Sequence, residues 1–263
     1  MLFRHAIEML ARNRKFWRRF PSRYGRRPIL VSPDAALRWL RPGEAAFEGF
    51  LLDLADTVRR GMIVWDLGAN VGAFAIAAAH RSGAKLIAIE PDPFLADLLQ
   101  RSCAANPDLD IELVSMAVAD KEGEAELAVS GRGRACNALT AGHLPHDHGV
   151  SRGHIRVPTT TLDALLDRFP APDLLKIDIE GAEALALDGA SRLLTDIRPI
   201  ICIEVRRETK DEVEQRLAAC GYRCEGGENL IAIPTLDQPP EYRLMPPARQ
   251  RAVNDGRLAV APS

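Results

Sequence analysis

The chain has 263 residues, 47% of them hydrophobic and 27% charged, enough for one sizeable core or for one domain with an appendage. No apolar run approaches the roughly eighteen residues that span a bilayer, and arginines interrupt every apolar stretch near the N-terminus, so neither a membrane helix nor a secretory leader is expected. The net charge of −2 hides an asymmetry: residues 1–27 carry nine Lys and Arg against Glu8 alone, which leaves the body acidic and argues against a nucleic-acid partner.

In chain order, residues 1–43 form a basic arm in which Phe3, Phe16, Trp17, Phe20 and Tyr24 interleave with the cations. Two readings stay open for it: peripheral contact with anionic lipid through residues 1–27, or a solvated helix or strap packed on the domain. Phe47, Leu51, Leu54 and Val58 recur at helical spacing between Glu44 and Arg60, and Gly61 stands where a stop belongs. "MIVWDL" reads as a buried strand and Val71 to His80 as an alanine-rich helix. "KLIAIE" is a second strand with "PFLADLLQRSCAAN" as its helix, and "IELVSMAV" (111–118) is a third strand. "AELAVS" and "HIRVPTTTL" add β structure around an irregular loop, 131–153. "DLLKIDI" and "PIICIEV" are further strands, followed by the helices "EALALDGASRLL" and "KDEVEQRLAACG". "YRCEGGENLIAI" closes as a hairpin. Alternation of strand and helix predicts an α/β domain over 44–235, with a doubly wound, mainly parallel sheet and a C-terminal antiparallel hairpin. Residues 236–263 read as a Pro-rich tail. Five scattered cysteines without a Cys-x-x-Cys pair suit a reducing cytoplasm.

In "IVWDLGANVGAF" an acid ends the first buried strand and a small-residue turn follows. Gly68 and Gly72 let the backbone turn tightly, and Asn70 is the non-glycine residue that best tolerates a left-handed conformation. A dinucleotide turn wants G-x-G-x-x-G; here Gly68-Ala69-Asn70-Val71-Gly72 lacks the glycine that admits pyrophosphate, and Asp66 would repel it. A phosphate-free nucleoside with a cationic amino-acid end suits the turn better, and S-adenosylmethionine is such a ligand. Glu90 ends the second strand, where an acid accepts hydrogen bonds from ribose hydroxyls or caps the next helix.

Together with "AIEPDPF", "MAVADKEGEAEL" and "TTLDALLDRFPAPDLLKIDIEGAEALALDGA", this turn resembles the FkbM family of S-adenosylmethionine-dependent methyltransferases. The resemblance implies a Rossmann-like class I methyltransferase fold and methylation of hydroxyls on sugars, polyketides or other secondary metabolites. Asp66, Gly68, Asn70, Gly72 and Glu90 match the family's cofactor motifs, and Asp178, Glu180, Gly181 and Glu183 its second signature. Ala117, on the third strand, joins the candidate cofactor set.

Lys176, Asp178 and Glu180 alternate along one predicted strand and share a face, with Glu204 at the end of the next. Methyl transfer to an alcohol needs a proton acceptor, so Asp178 is the first candidate base, Glu180 the second, with Glu204 converging on them. Crowded carboxylates also favour proton uptake or a shared Mg²⁺; no metal ligands are assigned. His143, His146, His148 and His154 cluster with Asp147 in a loop without a rigid element to set ligand geometry, so the loop reads as cover for a substrate. Two further classes bracket this reading. One is a non-catalytic nucleoside-binding module with a recruiting arm; the other is an NAD-dependent oxidoreductase, disfavoured by the missing glycine.

Overall fold

The computed structural model describes residues 12–47, 49–143 and 150–235. It opens with an antiparallel hairpin of β1 (Phe16–Arg19) and β2 (Pro28–Val31). The helix expected over 44–60 is interrupted. A short 3₁₀ turn, Gly43–Phe47, is separated from α1 (Phe50–Ala55) by Gly49, whose φ of 130° lies outside helical space.

The βα units then follow: β3 (Ile63–Leu67), α2 (Ala73–Ser82), β4 (Lys85–Ile89), α3 (Pro93–Ala104) and β5 (Ile111–Val114). The third strand ends four residues early. Its remainder, β6 (Ala117–Val118), joins β7 (Gly123–Ser130), β8 (Ala138–Leu139) and β9 (Ser151–Thr160) in a second sheet of order β6-β9-β7-β8. After α4 (Leu162–Leu166) come β10 (Leu174–Ile177), α5 (Glu183–Asp188), a π-helical turn at Leu193–Ile197, β11 (Ile200–Glu204), α6 (Lys210–Ala219), β12 (Tyr222–Gly226) and β13 (Asn229–Pro234).

The main sheet has seven strands in the order β12-β13-β11-β10-β3-β4-β5; β13 runs antiparallel to both its neighbours, and the other pairings are parallel. Alternate residues of its central strands feed two apolar layers. Val64, Leu86 and Leu174 face the layer that holds Phe74, Ile76 and Leu98, while Trp65, Ile87, Leu175 and Ile201 face Leu187, Val213 and Leu217. The alanines of α2 are buried along its length, which lets that helix lie close to the sheet.

The boundary expected after residue 43 is not a boundary of the core. Phe20, Tyr24, Ile29, Leu30 and Trp39 are buried in the first layer, with Phe20 and Trp39 both packed on Phe47. Several of the segment's cations are spent internally: Arg18 donates to the Trp39 and Arg41 carbonyls, and Arg27 pairs with Asp108. The residues before Arg12 and after Thr235 lie outside the described residues. Among the described residues no helix is long and apolar enough to cross a membrane.

Candidate active site

Between β3 and β10 the sheet's connections diverge to opposite sides, and ligands of open α/β sheets bind above such a switch point. A cavity of about 380 Å³ opens there, with Gly68, Asn70, Glu90, Ala117, Asp178 and Glu204 among its lining residues.

The β3–α2 turn is left-handed at Gly68 (φ 74°), Asn70 (φ 53°) and Gly72 (φ 84°). A Cβ on Gly68 would collide with the Asp178 carbonyl oxygen, so glycine is required for β3 and β10 to close at their ends. Gly72 differs from expectation. A Cβ there would strike Leu99 of α3, and Gly72 does not line the cavity; its absent side chain serves helix packing.

Asp66 also departs from its expected place. The parallel register sets Lys176 directly opposite it, and the fully buried carboxylate lies 2.9 Å from the Lys176 Nζ, beneath the cavity rather than in its wall. Lys176 reaches a second carboxylate, Asp178, at 3.6 Å. Facing two anions, its ammonium is held above its ordinary range despite burial.

Glu90 remains at the cavity wall. Its Oε2 accepts the Asn70 N–H at 2.8 Å and its Oε1 the Asp92 N–H at 2.9 Å. The helix start is capped by Asp92 instead, which accepts the Phe94 N–H, so Glu90 is free of that duty. Burial pushes the Glu90 carboxyl up to about 8, against the pull of its two N–H donors.

β10 ends at Ile177, so Asp178 and Glu180 occupy a turn rather than a strand face, with Glu180 left-handed at φ 54°. Both still line the cavity with Glu204. Glu180 pairs with Arg206 and stands at about 7, raised by burial and then by the Asp178 charge. Glu204 also stands at about 7, raised chiefly by the Asp178 charge and then by burial; its exposure at the mouth tempers both effects. Glu183 turns back to accept the Gly181 N–H at 3.0 Å and so fixes the turn.

The loop after β7 contributes groups that local sequence did not single out. Arg134 bridges Asp34 at 3.2 Å and Asp92 at 2.7 Å, Asn137 donates to Asp92, and Arg152 pairs with Asp34. This network ties the N-terminal segment and the loop to the start of α3. His143 donates its backbone N–H to the Gly181 carbonyl, but its side chain is exposed, as is that of His154. His146, Asp147 and His148 lie outside the described residues. Among the described residues no group of three or more His, Cys, Asp or Glu is arranged to hold a metal ion.

A seven-stranded doubly wound sheet with one antiparallel strand, and an acid-lined cavity at its switch point, define a Rossmann-like class I methyltransferase. The model of the family described as "Methyltransferase FkbM domain" matches residues 66–224, more than half of the chain, and the chain belongs to that family of S-adenosylmethionine-dependent enzymes. A curated relative, a ribosomal protein L11 methyltransferase of Symbiobacterium thermophilum, is 29% identical over 116 residues, 43% of this chain. The match covers only 37% of that relative's length. Among solved structures, the FkbM methyltransferase of Methylobacillus flagellatus aligns over 72% of this chain and 51% of its own, with 17% identity and a TM-score of 0.45. A precorrin-6y C5,15-methyltransferase of Geobacter metallireducens aligns over 69% and 82%, with 14% identity and a TM-score of 0.42.

Proposed function

We propose that the protein is an O-methyltransferase acting on a hydroxyl of a sugar, glycan or other secondary metabolite. What carries this reading is a pair of carboxyl groups, Glu180 and Glu204, each raised to about 7 and both lining the cavity of the β3–α2 turn. A group poised near neutrality takes up a proton more readily than an ordinary carboxylate, and an alcohol must lose its proton as it attacks. S-adenosylmethionine, when bound, supplies an electrophilic methyl group, and the protein supplies alignment and the proton acceptor.

Glu90, clear of the helix cap, accepts hydrogen bonds from the ribose hydroxyls; Gly68, Asn70 and Ala117 shape the wall on which the nucleoside lies. Asp66 acts indirectly, by holding Lys176. Glu204 is the base, because among the described residues it makes no ion pair, whereas Glu180 is engaged by Arg206. Asp178, the first candidate from sequence, keeps its neighbour protonatable through its charge. Labelled-methyl transfer from S-adenosylmethionine to fractionated glycans and small metabolites tests this reading, with the methylated atom identified in the product. Glu204→Gln should lose transfer at least about 100-fold while still binding S-adenosylhomocysteine. Undiminished turnover in that variant, or methyl groups found only on nitrogen, overturns it.

A further inference from the structure

Arg38 precedes the matched domain and carries no motif, yet its side chain lines the cavity. It is held by stacking on the buried Trp39, with the guanidinium carbon 5.1 Å from the ring centroid. Its Nε is buried without a hydrogen-bond partner, and among the described residues no carboxylate is within ion-pairing range; the Asp178 charge acts on it from farther off. The other cavity cations differ: Lys176 is bound by Asp66, and Arg134 by Asp34 and Asp92. A desolvated guanidinium with unused donors is costly unless an anion completes it.

The place of Arg38 says which anion. It shares a recess with Gly49, Leu51 and Ala73, and Ala73 begins α2 directly after the Gly68–Gly72 turn. On the reading above, that turn cradles the methyl donor. The donor has no phosphate; its one anionic group is the α-carboxylate of its methionine part. We infer that Arg38 binds this carboxylate, so that the segment before the matched domain completes the cofactor site. This rests on the methyltransferase reading but adds a residue, a ligand group and a role for the N-terminal strap.

The test is calorimetry on the full chain with three ligands: S-adenosylhomocysteine, its decarboxylated analogue and 5′-methylthioadenosine, which lacks the whole amino-acid part. Wild type should prefer S-adenosylhomocysteine to the decarboxylated analogue, and Arg38→Gln should erase that preference. We expect an affinity loss of about 10- to 100-fold for S-adenosylhomocysteine alone. Arg38→Lys should recover part of it. The two carboxylate-free ligands report whether the variant pocket is still formed, and they should bind Arg38→Gln as they bind wild type. Equal weakening for all three would mean that Arg38 only supports packing, and unchanged S-adenosylhomocysteine affinity would assign Arg38 to the acceptor; either overturns the inference alone. Failure of wild type to bind S-adenosylhomocysteine at all would overturn the donor reading beneath it.

Discussion

Replacing Asp178 by Asn should move the acid limb of the rate–pH profile to lower pH. Glu204 stands at about 7 against an ordinary 4.5, and the Asp178 charge is the first cause of that rise, ahead of burial. Removing the largest cause of that rise should move the limb down by roughly one pH unit. The sign follows from the like charge: without it the Glu204 carboxyl ionises more easily, and its base form persists at lower pH. Lys176 and Arg206, which already pull Glu204 downward, then act with less opposition. The limb should slide from about 7 towards about 6, and near pH 6 the ionised fraction should rise from about a tenth to about a half. Asn keeps the shape of the side chain, so cavity geometry is little altered. Initial rates of kcat/KM over roughly pH 5 to 9 measure the limb in the free enzyme. A limb that stays in place, or that moves to higher pH, would refute the coupling of these carboxylates and with it the choice of Glu204 as base.

Three further outcomes are expected. Glu90 stands at about 8 in the buried wall; ribose hydroxyls donating to it favour its ionised form, so S-adenosylhomocysteine binding near neutral pH should release up to about one proton. Calorimetry in buffers of different ionisation enthalpy measures this, and Glu90→Gln should abolish it; a wild type that releases none has no such ribose contact. Gly68→Ala should lower stability by about 2 kcal/mol or more, because φ is 74° and the new methyl meets the Asp178 carbonyl; a denaturant midpoint near wild type would contradict that. Lys176→Met strands Asp66 and should cost about 3–5 kcal/mol, much of it regained in Asp66→Leu/Lys176→Met, whereas purely additive losses would mean that the two do not act as a pair.

The parallel strands were legible because they are buried on both faces: β3, β4 and β11 fall within about two residues of the apolar runs that suggest them. The second sheet was less so. β7 pairs with β9 across the twenty residues that separate them, and β6 leaves the run "IELVSMAV" to join them, a choice made by long-range pairing rather than by local pattern. For the N-terminal segment, of the two readings left open, the described residues follow the packed strap. Its cations dominate the composition, but Phe20, Tyr24, Ile29 and Leu30 decide its place, and several of the arginines turn back to carbonyls and acids of the same molecule.

The site shows the same division between motif and partner. Asp66 was legible as a strand-end acid, but which way its charge is balanced depends on register: β10 lies beside β3 with Lys176 opposite Asp66, so the acid is neutralised from the next strand before any ligand arrives. The acid beside Lys176 that reaches the cavity wall is Asp178, 3.6 Å from the Lys176 Nζ. Three of the cavity acids are met from different elements: Asp178 by Lys176 of β10 itself, Glu180 by Arg206 after β11, and Glu90 by backbone N–H groups of two turns. Among the described residues, Glu204 alone of the cavity acids has no such partner, and Arg38 alone of the cavity cations has no anion in ion-pairing range. These two unmatched charges are where the physics leaves room for what the protein binds: a proton at the first, a carboxylate at the second.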